Sequence, residues 1–119
     1  PMFGQNGHFK FYASEKIAYA QERYNNESLR LYDVLDKRLN GRAYICGDYS
    51  IADMACWPWV LTYKKQDIQL EKFPNVRRWY DLLKTRPALR RGYDLGKELG
   101  RPEGKWDEEA RRHMIAHTR

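Results

Sequence analysis

Between Ile17 and Leu39 the apolar positions Ile17, Ala20, Tyr24, Leu31, Leu35 and Leu39 recur at steps of three, four and seven. That is the period of one face of an α-helix, so the spacing predicts a long amphipathic helix. Ser14 is placed to cap its start, and Gly41 to stop it in a left-handed turn. Asp33 and Lys37, one turn apart, dress its outer face. A second stretch, Ile51 to Tyr63, carries Asp53 as its only charge and reads as a helix apolar on every side. Such a helix belongs in the middle of a domain. Pro58 lies inside it and cannot donate a backbone hydrogen bond, so a bend is expected there. Asp67 to Phe73 reads as a loop. Pro74 then suits a first helical position, and Val76, Trp79, Tyr80 and Leu83 form the inward face of the next helix. Thr85-Arg86-Pro87 ends that helix, because the residue before a proline avoids the helical region. A short helix follows from Pro87 towards Leu95. Trp106 to Ala116 reads as a final helix capped by Asp107, or as a tail folding onto another part. Strand-like alternation is absent, and the fold class is all-α.

The start of the apolar helix has its own chemistry. Ser50 is followed three positions later by Asp53, just before the apolar run, which marks a helix N-terminus. The first turn leaves backbone N–H groups without partners. Ser50 Oγ is expected to accept from the N–H of Asp53, and the Asp53 carboxylate from the N–H of Ser50. The helix dipole favours the same carboxylate. Tyr49 and Met54 occupy the positions of a hydrophobic staple. Asp53 is therefore expected to be a partly buried charge with a structural duty, not a catalytic acid.

Composition narrows the function classes. The chain has 119 residues and a formal net charge of +6. A single domain of this size builds a core without disulfides or metals. Basic residues alternate with acids, and the densest cluster, Arg86, Arg90 and Arg91, reads as a solvated helix face. Nucleic acid is accordingly not expected as a partner. Cys46 and Cys56 match no metal or redox spacing and read as buried small residues in a reducing compartment. No apolar run approaches the ~20 residues of a membrane span, and no targeting segment is visible, so a cytoplasmic location is expected. His113 and His117 share a helical face with Glu109, but a solvated tail is the expectation and no metal is assigned. The abundant aromatics, Trp57 and Trp79 among them, fall at core spacing and are read as packing. Pro1 to Tyr12 looks like the end of a helix plus a turn, as if an element had begun before Pro1, so the chain reads as a fragment of something longer.

Gly47-Asp48-Tyr49-Ser50-Ile51-Ala52-Asp53-Met54, continuing through Trp57-Pro58-Trp59, resembles the capping-box helix of the glutathione transferase C-terminal domain. Phe73-Pro74-Asn75-Val76 with Trp79, then Arg86-Pro87-Ala88, resembles the two helices that follow in that family. Pro1-Met2-Phe3-Gly4-Gln5 with His8-Phe9, Glu22-Arg23-Tyr24 and Arg30-Leu31-Tyr32 is similar to the nu-class, Ure2-like bacterial enzymes of disulfide-bond oxidoreductase type. The resemblance covers Pro1 to Leu95. It implies a domain over residues 1–99 with a truncated first helix, and an extension over 100–119.

The resemblance also implies a function. The family pairs this helical domain with a thioredoxin-like domain, which this chain does not resemble. Glutathione is the implied co-substrate, and an electrophile, disulfide or peroxide the second substrate, in an enzyme that dimerises with itself. No residue of this chain is implied to be catalytic, and the chain alone should be inactive. Arg23 is the implied glutathione contact, since a guanidinium can grip a carboxylate through two parallel hydrogen bonds. The alternative for Arg23 is a surface ion pair with Glu27, one turn on. Met2, Phe3, Gln5, His8 and Phe9 would wall the second-substrate site, or would pack against the absent domain. A helical protein-interaction module without catalysis is the competing function.

Overall fold

The computed structural model describes residues 1–95, together with Glu109 and Arg112, which are helical and exposed. Within residues 1–95, five α-helices run in order: α1 (Met2–Gly7), α2 (Ala18–Leu39), α3 (Ile51–Leu61), α4 (Pro74–Lys84) and α5 (Pro87–Asp94). A π-turn, His8–Tyr12, extends α1, and two 3₁₀ turns, Tyr63–Gln66 and Leu70–Lys72, link α3 to α4. No strand forms among the described residues, where the only extended pairings are two isolated bridges in the loop after α2. The all-α fold is as expected. The domain boundary at residue 100, His113 and His117 lie outside the described residues, as does the expected final helix over 106–116 apart from Glu109 and Arg112.

Helix α2 starts at Ala18, and no side chain caps it. Ser14 lies too far upstream to serve, so the expected cap is corrected: Ile17 is the extended residue before the first turn. At the other end Gly41 adopts a φ of 68°, open to glycine at little cost. Arg78 Nη2 donates to the carbonyls of Leu39 (2.9 Å) and Arg42 (2.6 Å). It thereby ties the last carbonyl of α2, which also accepts from the Arg42 N–H at 3.0 Å, to the loop that follows. Of the face that the spacing singled out, Ala20 and Leu39 are buried, Tyr24, Leu31 and Leu35 are half-buried and Ile17 is exposed, while Tyr32 and Ser28, which the spacing did not single out, are fully buried. Ser28 is tolerated there because its hydroxyl donates to the Tyr24 carbonyl at 2.8 Å.

Helix α4 buries Val76, Trp79, Tyr80 and Leu83, the four residues that its period singles out. Its first turn is capped from another helix. Asp36 on α2 accepts from the backbone N–H groups of Asn75 (2.8 Å) and Val76 (3.0 Å) and from the Asn75 side chain (3.0 Å). Phe73, the residue before α4, has no side-chain acceptor of its own, so this long-range carboxylate replaces a local cap.

Two expectations are revised. Asp67 to Phe73 is no mere loop: it contains the second 3₁₀ turn, and Ile68, Leu70 and Phe73 are core residues. Asp67, with φ at 57°, turns the chain so that this apolar run faces inward. Helix α3 in turn is not buried all round. Trp57 and Val60 reach the core, whereas Ile51, at 81% exposure, Met54 and Trp59 do not. Cys46 is exposed on the loop rather than buried, and Cys56 is half-buried; both are free thiols. Burial pushes the Cys56 thiol up, with smaller contributions from Asp53 and Cys46.

Candidate functional site

The first twelve residues are held against α2 by aromatic and polar contacts. The Phe3 ring meets Tyr32 (5.4 Å between centroids) and Trp59 (6.3 Å). Phe9 stacks on Tyr24 at 5.3 Å with planes 8° apart, and His8 stands edge-on to Phe9 at 5.0 Å. Gln21 Nε2 donates to the Phe9 carbonyl at 2.8 Å. Met2 is half-buried and Gln5 exposed. Three residues apart, they share a side of α1. Phe3 packs into the body of the domain. Lys10 anchors the far end through Asp67, the Gln66 carbonyl and Asn25. Between these anchors Asn6 is fully buried, and neither polar atom of its side chain has a partner among the described residues.

Arg23 lies on the exposed side of α2, in a shallow groove of about 420 Å³ lined by Tyr19, Glu22, Arg23, Asn26, Glu27 and Arg30. Steps of three and four bring these side chains onto one stripe of the helix. Glu27 is not the partner of Arg23. It is gripped by Arg30 through two parallel bonds of 2.8 Å. Those bonds are the main reason that the Glu27 carboxyl is held below its usual range, and Arg23 adds a weaker pull from farther off. Arg23 makes no ion pair among the described residues. Its guanidinium is left with donors to spend on a ligand.

Asp53 is enclosed by donors. Its Oδ2 accepts from the Ser50 N–H (3.0 Å) and hydroxyl (3.3 Å). Its Oδ1 accepts from the Ile45 N–H (3.0 Å) and from Trp79 Nε1 (2.8 Å). Ser50 Oγ also accepts from the Ala52 N–H at 3.3 Å. A carboxylate so fully engaged has no lone pair aimed at a substrate. Sequence spacing could not foresee Ile45 and Trp79, because neither is local to the helix start. The Tyr49 ring lies beneath the Arg86 guanidinium, 3.6 Å away, and edge-on to Tyr44. No cluster of metal-ligating side chains occurs among the described residues. No described helix is long and apolar enough to cross a membrane.

A helical domain with this capped α3, its cross-capped α4 and an aromatic first segment matches the family model for the glutathione S-transferase C-terminal domain over residues 5–87. The chain belongs to that family. Among curated relatives, the disulfide-bond oxidoreductase YfcG of Escherichia coli is 49% identical over 89 residues, 74% of this chain and 41% of that protein. Among solved structures, a glutathione transferase from Burkholderia graminis with two glutathione molecules bound per subunit superposes with a TM-score of 0.72 at 41% identity. That match covers 82% of this chain and 44% of the other. A glutathione transferase from Pseudomonas putida, with one glutathione disulfide bound per subunit, gives a TM-score of 0.73 at 37% identity, over 80% of this chain and 44% of the other. The chain thus spans less than half the length of these relatives.

Proposed function

We propose that this chain is the C-terminal helical domain of a glutathione-dependent enzyme, a transferase or disulfide-bond oxidoreductase, and that Arg23 contributes to glutathione binding. The observation that carries the reading is the contrast on α2. Arg30 is committed to Glu27, whereas Arg23 lines the same groove without an ion pair among the described residues. Glutathione offers two carboxylates to such a guanidinium. Relatives with bound glutathione or glutathione disulfide support the choice of ligand.

The rest of the enzyme would supply a thioredoxin-like domain and the groups that stabilise a thiolate, without which a thiol is a poor nucleophile at neutral pH. No residue of this chain is catalytic on this reading. Met2, Gln5, His8 and Phe9 wall the site for an electrophile, disulfide or peroxide, and Phe3 anchors that wall to the core. Ser50 and Asp53 fix α3. The domain runs over 1–99 and the extension over 100–119, in a cytoplasmic homodimer.

The test is steady-state kinetics of the full-length enzyme. Arg23→Ala should raise the KM for glutathione by about tenfold or more, the loss of a charge-assisted hydrogen bond. An unchanged KM removes Arg23 from the site.

A further inference from the structure

Lys10 sends a single ammonium to acceptors on two other elements. Its Nζ donates to Asn25 Oδ1 on α2 (3.3 Å) and, at the turn after α3, to the Gln66 carbonyl (3.1 Å) and Asp67 Oδ2 (2.5 Å). An ammonium has three donors, and each finds an acceptor here. The anchor beyond α3 is firm. Gln66 is buried, and its Nε2 is bonded to the Trp59 carbonyl (2.7 Å) and to Thr62 Oγ1 (2.8 Å). The Lys10 side chain is 15% exposed and that of Asp67 73%. An ion pair with one member so open to water adds little stability. What three bonds from separate segments do fix is position.

Position matters because of what Lys10 is attached to. It lies within the π-turn His8–Tyr12, where the Ala13 N–H donates to the His8 carbonyl at 2.8 Å. A π-turn takes in an extra residue, so the side chains after α1 leave the register of that helix; such turns are rare and recur at functional sites. Gln21 and Tyr24 hold Phe9 from α2 through its carbonyl and its ring. Lys10, the next residue, fastens the same turn to the opposite side of the domain. We propose that Lys10 is the positioning residue of the second-substrate wall: its ammonium locks the π-turn between α2 and the turn after α3, and so sets the direction in which His8 and Phe9 meet the ligand. The inference rests on the reading of His8 and Phe9 as wall residues given above, and adds what keeps them in place. Arginine is an incomplete substitute, because its donors are spread over a rigid plane whereas these acceptors converge on one atom.

The experiment measures, by calorimetry, the Kd of the full-length enzyme for glutathione and for S-hexylglutathione. The hexyl chain leaves from the sulfur, where a second substrate reacts, and so probes the wall. Wild type should prefer the hexyl compound through apolar burial. Lys10→Met keeps the apolar stem and removes the ammonium. It should cut that preference by about fivefold, the cost of ordering His8 and Phe9 anew on binding, and leave the Kd for glutathione within about twofold. Asp67→Asn should act in the same direction but less, and Lys10→Arg should restore part of the preference. Asp36→Asn weakens the cap of α4, away from the wall, and should keep the preference whole. A Lys10→Met enzyme that loses affinity for both ligands equally overturns the assignment, as does an Asp36→Asn enzyme that loses the preference as well. If Phe9→Ala abolishes the preference and Lys10→Met does not touch it, the positioning role alone falls. If wild type shows no preference, or neither substitution changes it, the wall reading falls with it.

Discussion

Trp79 Nε1 lies 2.8 Å from Asp53 Oδ1, so the indole of α4 is hydrogen-bonded to the carboxylate at the start of α3. Both side chains are buried. The bond joins two helices through a group that also engages Ser50 and Ile45, and so ties a local cap to tertiary packing. Trp79→Phe keeps most of the ring and removes the donor. It should destabilise the domain by about 1.5–3 kcal/mol, the range for a hydrogen bond to a charged group. Urea denaturation followed by circular dichroism reads this directly, and an unchanged midpoint would mean that the carboxylate does not need the indole.

The same network separates Ser50 from Asp53. Ser50→Ala removes one acceptor and one donor near the surface of the helix start and should cost about 0.5–2 kcal/mol, the usual range for a lost N-cap. Asp53→Ala strands the Ile45 N–H, the Ser50 N–H and the Trp79 indole together. With each stranded buried donor costing about 1–3 kcal/mol, its loss should exceed that of Ser50→Ala by a wide margin. Thermal melts of the two variants side by side decide it; equal shifts would reduce Asp53 to a cap alone.

Where the physics is local, the sequence was a good guide. The period of α4 named its four buried residues, because a helix with a sharply divided surface has one way to face a core. The Ser50–Asp53 spacing located the start of α3 for a similar reason: the partners sit within one turn. The failures were contacts between distant segments. Ser14 has the chemistry of a cap, but the chain enters α2 only after Ile17. Phe73 lacks such chemistry, and Asp36 supplies it from another helix. Ile68 and Leu70 sit among polar residues that suggest a loop, and only their packing against the other elements makes them core. In the candidate groove, the family resemblance pointed to Arg23, and the spacing offered Glu27 as its ion-pair partner. It missed that Arg30 outcompetes it for Glu27, which follows from two well-aligned bonds at three-residue spacing rather than from position alone.

Asn6 offers a prediction of opposite sign. Its amide is buried with no partner for either polar atom among the described residues. A buried polar group that has lost water without regaining a hydrogen bond costs about 1–3 kcal/mol. Asn6→Leu, close in volume, should therefore stabilise the domain by an amount of that order, visible as a higher urea midpoint. A less stable variant would show that the amide has a bonding role after all.

Tyr32 links stability to pH. It is fully buried beside Phe3 and Phe73, and its hydroxyl donates to Gln66 Oε1 at 3.2 Å. Burial pushes its phenol well above the usual range, and pushes Tyr80 in the same direction. In the unfolded chain a tyrosine loses its proton near pH ~10. Between that pH and the raised folded value the native state binds more protons than the unfolded state, so stability falls as pH rises. Below the unfolded value the contribution is fully present. Tyr32→Phe should lower stability at neutral pH by about 1–3 kcal/mol, because Gln66 Oε1 loses its donor. It should also flatten the alkaline decline, since Phe has no proton to lose. Urea midpoints for wild type and variant at pH values from about 7 to 11 should converge above ~10. If the gap stays constant across that range, the buried phenol is not what makes the fold sensitive to alkali.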